Sequence, residues 1–297
     1  MDKKSAPIPL EVRTMTKKNT NLMGRVNIIA LATDGSEYSD GAVQEAIFLA
    51  QACGAQLVVL SVINTDTETT TSAHATAVTM RQEIKGYIDK IQQMATDNDI
   101  ECEVVIEESR RPDKTLVELA YTYNADLLIM GRHGRGGLLT LMVGSMTSKV
   151  IGHGFPKVLV VPKGFTLSGQ RILLATDGSP FSRMAVEEAV NMTKNCSAIQ
   201  EVYVISVAGN EEEVQTAGEL VDDICRTIKQ KDVHAECTPI VSIGRPSDVI
   251  ADTAREKNID MVIIGGHGKG LTKLLMGHVT EKVIAKTHCA VLVVEKE

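Results

Sequence analysis

The 297-residue chain has no tryptophan and only four phenylalanines. A surface that stacks nucleobases on aromatic rings is therefore not its main device. The core must be built from Val, Ile, Leu, Ala and Met. No apolar run approaches the roughly 18 residues needed to cross a bilayer. The first 24 residues are basic but hold no continuous apolar stretch, so they do not read as a secretory signal. They are expected to form a loose tail, or an arm that docks on a partner. The six cysteines, at 53, 102, 196, 225, 237 and 289, form no CxxC pair. They read as small buried hydrophobes of a protein in a reducing, cytoplasmic compartment. The seven histidines show no metal-ligand spacing with one another or with the cysteines, and no metal is expected. There is no Gly-x4-Gly-Lys-Ser/Thr stretch, so the phosphate lysine and Mg²⁺-binding hydroxyl of the P-loop are missing. A net charge of −7 argues against a nucleic-acid or anionic-membrane partner.

What the chain does have is itself, twice. Apolar residues make up 43% and charged residues 23%, the balance of a soluble globular protein, and the length suits about two domains. "NIIALATDGSEYSDGAVQEA" from Asn27 matches "RILLATDGSPFSRMAVEEA" from Arg171. "ADLLIMGRHGRGG" from Ala125 matches "IDMVIIGGHGKG" from Ile259, and "KVLVVPK" from Lys157 matches "AVLVVEK" from Ala290. The order is the same in both halves, and the offset is a whole domain rather than a solenoid unit. We read a tail at 1–24, a first domain at 25–163, a short Gly/Ser-containing linker at 164–170, and a second domain at 171–297.

Each half yields the same succession of elements. Val26–Ala32 is an apolar run too short for a helix and bounded by Asp-Gly, so it reads as a buried strand. Ser39–Cys53 has apolar residues at helical spacing, with Ser36 or Ser39 as candidate N-cap and Gly54 as the stop. Gln56–Ile63 is a second strand, Ala75–Thr96 an amphipathic helix, and Ile100–Glu107 a third strand. A short helix opens at Pro112 and runs to about Tyr123. Asp126–Met130, a helix ending near Gly152, and strand Lys157–Val161 complete the half. Strands alternate with helices, which implies a parallel sheet covered on both faces. The expected fold class is α/β, with two tandem doubly wound five-stranded domains of strand order 3-2-1-4-5.

In such a sheet, ligands sit beyond the carboxyl ends of the strands where neighbouring loops leave to opposite faces. Strand one ends in Ala32, Thr33 and Asp34. Strand four ends in the glycine-rich stretch "GRHGRGGLLTLMVGS" from Gly131 to Ser145. Side by side, these place a carboxylate opposite a loop whose backbone N–H groups can converge on an anion, beside a helix N-terminus. Asp34 is a candidate for ribose hydroxyls. Gly131, Gly134, Gly144, Ser145 and Thr147 are candidates for phosphates.

Both halves resemble the universal stress protein family, over almost everything from about Asn27 to Val294. The resemblance rests on the Asp-Gly-Ser after strand one and on the nucleotide motif Gly-x2-Gly-x9-Gly-Ser/Thr, which Gly131, Gly134, Gly144 and Ser145 fit residue for residue. It implies the α/β fold just described, akin to that of adenine nucleotide alpha hydrolases, and ATP, with or without Mg²⁺, as the bound cofactor. It also implies roles. Asp34 would hold the ribose, Val62 would bond adenine through its backbone, Gly131, His133, Gly134, Gly144, Ser145 and Thr147 would surround the phosphates, and Ala32, Thr33 and Met146 would also contact the nucleotide. Family members commonly dimerise through their fifth strands. A tandem chain could form that pair internally from 157–161 and 290–294, with further homodimerisation left open.

The second half departs from the motif. Asp177, Val207, Gly265, His267, Gly268, Gly277 and Thr280 match, but only eight residues separate Gly268 from Gly277, and His278 stands where a hydroxyl is expected. The expectation is a full site in the first half and a weakened or altered one in the second, although local absorption of the shorter loop would leave both competent. His133 and His267 could donate to phosphate or order their loops. Arg110, Arg111 and Pro112, with Gly244, Arg245 and Pro246 opposite, lie near the rim and read as solvated loop. Three functions fit these residues. One is a nucleotide-responsive stress or signalling module, which the complete first motif favours. The others are a slow ATPase or adenylyl-transfer enzyme, for which no base is identifiable in the sequence, and an interaction scaffold with vestigial sites.

Overall fold

The computed structural model describes residues 26–65, 71–134, 142–230, 234–267 and 276–295, of which 71–80 by backbone alone. The expected tail at 1–24 and Gly268 lie outside the described residues. The first half runs β1 (Ile28–Ala32), a single 3-10 turn (Glu37–Ser39), α1 (Asp40–Cys53), β2 (Gln56–Asn64), α2 (Thr71–Asp97), β3 (Cys102–Ser109), α3 (Pro112–Thr122), β4 (Leu127–Gly131), α4 (Ser145–Gly152) and β5 (Lys157–Val161). The second runs β6 (Arg171–Ala175), α5 (Pro180–Asn195), β7 (Glu201–Ala208), α6 (Glu211–Gln230), β8 (Glu236–Ile243), α7 (Pro246–Glu256), β9 (Met261–Gly265), α8 (His278–Lys286) and β10 (Ala290–Val294).

The strands form one ten-stranded sheet in the order β3-β2-β1-β4-β5-β10-β9-β6-β7-β8. Each half therefore has the order 3-2-1-4-5, and the two meet at their fifth strands. That seam is antiparallel, with Leu159 opposite Leu292 and Val160 opposite Val291. The remaining pairs, such as Ala32 with Met130 and Ala175 with Ile264, are parallel. Alternate residues of every central strand feed opposite faces. Ile29, Leu31, Leu57 and Val59 join one buried cluster, while Ala30, Ala32, Val58 and Leu60 join the other. Both clusters contain residues of both halves, so the two halves share one core on each face of the sheet.

Polar contacts among the described residues reinforce the junction of the two halves and the linker. Lys157 Nζ of β5 meets both carboxylate oxygens of Glu188 on α5, at 3.0 and 2.9 Å. The Leu167 N–H donates to Glu45 Oε1 of α1 at 3.0 Å. The Arg132 guanidinium, from the loop after β4, donates to Ala285 O at 3.3 Å and Thr287 O at 2.5 Å, at the C-terminal end of α8. Burial pulls the Arg132 pKa below the usual arginine value, but the helix-terminal carbonyls give the cation the partners it needs there.

One sequence reading is corrected. Cys225 and Cys237 form a disulfide, with their Cα atoms 5.5 Å apart, joining α6 to β8. They are therefore not free thiols, because the fold brings two matching-face positions together that sequence spacing does not pair. Cys196 and Cys289 are buried, as small hydrophobes would be, but Cys53 and Cys102 are only half-buried. Ser39 stands at the N-cap of α1, one of the two expected positions, but its hydroxyl and that of Ser36 donate to Asp34 Oδ1 instead of the helix receiving a side-chain cap. Gly54 does end α1, at φ 66°, a left-handed conformation that glycine adopts without a Cβ clash.

Candidate functional site

The sheet brings the two loops together. β1 and β4 are neighbours, so the Asp-Gly turn after Ala32 and the glycine loop after Met130 leave from the same end. Their approach is close enough to explain the glycines. A Cβ on Gly134 would lie 2.6 Å from Asp34 Oδ2, and one on Gly131 would lie 2.8 Å from the Tyr38 carbonyl oxygen. At Gly144 a Cβ would stand 3.1 Å from Arg132 O and 3.2 Å from His133 Cα. Larger residues would fill the cradle that an anion needs.

Asp34 is held in place by the turn that follows it. Its Oδ1 accepts from Ser36 N at 3.0 Å, Ser36 Oγ at 2.6 Å and Ser39 Oγ at 3.2 Å. Thr33 is buried, and its Oγ1 accepts the Gly35 N–H at 3.1 Å. Val62 lies two residues past the last β1–β2 pair, Ala32 with Leu60. Its backbone is thus unpaired with β1 on the side facing the crevice. The Gly144 N–H donates to Arg132 O at 2.9 Å, which closes the glycine loop onto the start of α4. Ser145, the first residue of α4, is exposed.

Two candidate donors are already engaged. Thr147 is buried and gives its hydroxyl to Gly131 O at 3.0 Å, and Thr280 gives its own to Gly265 O at 2.8 Å. Each threonine thereby ties its helix to the end of the strand before it. Met146 is partly buried against the core. His133 Nε2 contacts the carbonyl oxygen of Met142. A carbonyl only accepts, so this nitrogen carries a proton and orders the loop. Arg110, Arg111 and Arg245 are exposed, as solvated rim residues are.

The second half repeats the geometry with differences. Asp177 Oδ1 accepts the Ser179 N–H at 2.9 Å, and Ser179 Oγ caps α5 by accepting from Ser182 N at 3.2 Å. A cavity of about 300 Å³ lies between the strand ends and α8, at the lower end of small-molecule pocket sizes. Thr176, Asp177, Val207, His267, His278 and Thr280 are among its walls. Gly277 is the N-cap of α8, and its N–H donates to Gly266 O at 2.8 Å. Gly265 packs under Phe181, whose carbonyl oxygen would stand 2.9 Å from an added Cβ.

One pair was invisible in the sequence. His267 Nδ1 lies 2.7 Å from Glu295 Oε1, with side-chain exposures of 1% and 6%. Twenty-eight residues separate the two, and only the β9–β10 pairing, which sets Gly265 beside Val294, brings them together. Among the described residues no group of three or more His, Cys, Asp or Glu side chains could hold a metal ion.

The universal stress protein family model matches the chain twice, over residues 26–162 and 169–295. The chain belongs to the universal stress protein family. It is 32% identical over 145 residues to a universal stress protein of Methanocaldococcus jannaschii, covering 43% of this chain and 82% of that one. It is 29% identical over 149 residues to one from Bacillus subtilis, covering 42% of this chain and 97% of the relative. A solved universal stress protein structure from Archaeoglobus fulgidus superposes with a TM-score of 0.74 at 20% identity, over 93% of this chain and 98% of that one. At that identity the superposition shows the fold, including its tandem extent. No helix among the described residues is long and apolar enough to cross a membrane.

Proposed function

We propose that this universal stress protein binds ATP and acts as a nucleotide-responsive stress or signalling module. Its units are the two repeats at 25–163 and 171–297, joined by 164–170. The observation that carries this reading is the approach of Gly134 to the Asp34 carboxylate, 2.6 Å from a would-be Cβ. It leaves open backbone where phosphates would lie and a fixed carboxylate where ribose hydroxyls would lie. Ala32, Thr33, Asp34 and Val62 would frame the nucleoside; Gly131, His133, Gly134, Ser145 and Met146 would present backbone groups to the phosphates at the α4 N-terminus, and Gly144, lacking a side chain, would keep the cradle open. Thr147 would support them from behind. In the second half Asp177, Val207, Gly265, His267, Gly277 and Thr280 would form an altered site around the cavity.

The test is calorimetric titration of ATP, with Mg²⁺, into protein purified free of nucleotide. Two sites of unequal affinity are expected, the tighter lost in Gly144→Trp, whose side chain fills the first cradle. Asp177→Ala should weaken the other. No binding to folded protein would refute the reading and leave the interaction scaffold as the better account.

A further inference from the structure

The two halves differ most at one end of the site. Thr176, Asp177, Ser182, Val207 and Pro246 line the second cavity, and the first half has the same residue types at Thr33, Asp34, Ser39, Val62 and Pro112. The end that would hold a nucleoside is therefore kept. The end that would hold phosphates is rebuilt. Gly266 stands where the first repeat has Arg132, Glu295 where it has Pro162, and His278 where it has Ser145. The first two changes depend on each other, because a Cβ on Gly266 would lie 1.6 Å from Glu295 Oε1. Only glycine admits the carboxylate where it lies. His133 is turned to the Met142 carbonyl and orders the first loop, whereas the matching His267 is turned to Glu295, 2.7 Å away. Glu295 is buried, with a side-chain exposure of 6%. A neutral proline thus gives way to a buried carboxylate set directly against the backbone of the phosphate loop.

We infer that the second half selects a nucleoside monophosphate over the triphosphate, with Glu295 as the residue that sets the preference. The inference rests on the reading that this cavity takes a nucleotide. At about 300 Å³ the cavity is at the lower end of small-molecule sites. Ile205, Ile250 and Ile264 give it an apolar wall for the base, and Asp177 stands where a ribose would lie. Among the described walls the titratable residues are Asp177, His267 and His278, and none is Lys or Arg. A single phosphate reaches only the start of α8, where the exposed His278 adds a donor. A second and a third phosphate would run along residues 265–267 and bring their charge toward Glu295. Like charges set together cost affinity. The first half then answers to the triphosphate and the second to the monophosphate, so that one chain compares the two.

The experiment titrates AMP and ATP calorimetrically into the nucleotide-free full chain carrying Gly144→Trp, which fills the first cradle. AMP should bind one site at least about tenfold more tightly than ATP, and Asp177→Ala should remove that binding. Glu295→Gln keeps the shape of the side chain and removes its charge. It should tighten ATP and leave AMP nearly unchanged, a split that a merely structural role would not produce. ATP binding as tight as AMP binding, or an ATP affinity that Glu295→Gln leaves in place, would overturn the inference and leave the nucleotide reading of the cavity standing. AMP binding that survives Asp177→Ala would put the monophosphate elsewhere and overturn it as well. Folded Gly144→Trp protein that binds neither nucleotide would remove the nucleotide reading of this cavity and the inference with it.

Discussion

A single methyl group separates the two kinds of glycine in this chain. At Gly131 the methyl would meet a backbone oxygen at 2.8 Å; at Gly86, in the middle of α2, it would meet nothing within 4 Å. We expect Gly131→Ala to destabilise the protein by about 1–3 kcal/mol, the usual cost of overpacking. Gly86→Ala should stabilise it by about 0.5–1 kcal/mol through helix propensity alone. Urea unfolding of the two variants would show shifts of opposite sign; equal shifts would mean that the Gly131 contact relaxes freely. The glycine pattern itself was legible in the sequence, because the motif spacing places it. The cysteine pairing was not. Cys225 and Cys237 lie 12 residues apart, with no motif to join them, and only the packing of α6 on β8 brings them together. Closing a loop of that length is worth about 3 kcal/mol on the chain-entropy account. Cys225→Ser with Cys237→Ser should lower the urea midpoint accordingly, and added reductant should then leave the double variant's midpoint unchanged.

Elements were easier to read than the contacts between them. The strands appear in the sequence as apolar runs because both faces of the sheet are covered, and helix α1 ends at Gly54 as its composition requires. What joins the elements depends on residues far apart along the chain. Arg132 reaches α8 across 153 and 155 positions, and Lys157 reaches α5 across 31. The second contact makes a pH-dependent prediction. Burial raises the Glu188 carboxyl above its ordinary value of 4.5, and the attraction of Lys157 only partly opposes this. The folded state therefore holds the Glu188 proton more tightly than the unfolded chain does. The stability from this group is complete below about pH 4.5 and is lost as pH rises through the folded-state value. Lys157→Met removes the opposing attraction and leaves a buried carboxylate alone. Its cost should be small near pH 4, where Glu188 is protonated, and grow with pH toward the lower end of the about 3–5 kcal/mol known for broken buried pairs. Unfolding midpoints of wild type and variant between about pH 4 and 8 would show this divergence; a constant gap would mean that the pair is solvated.

At the scale of the molecule, the antiparallel seam turns two repeats into one body. β5 and β10 continue a single sheet, and each face of it carries a cluster with members from both halves. Separating the halves would expose the edges of two central strands and the apolar surface beside them. We therefore expect one calorimetric transition, with calorimetric and van't Hoff enthalpies in agreement; two resolved transitions would show that the seam is weaker than the cores. The Arg132 clasp adds a directional consequence. Its backbone lies in the first glycine loop, between Gly131 and His133, while its guanidinium holds the last carbonyls of α8, and the N-terminus of α8 borders the second cavity. A ligand that orders the first loop should therefore quiet α8 in the other half. Because the equivalent residue in the second half is Gly266, no matching arm reaches back to α4. Hydrogen exchange on the Asp177→Ala variant, with its second site weakened, would read this directly. ATP should slow exchange in α8 as well as around Gly144, and Arg132→Gln should abolish the α8 effect while keeping the one at Gly144. Protection of α8 that survives Arg132→Gln would mean that the shared sheet, and not the arginine, carries the signal.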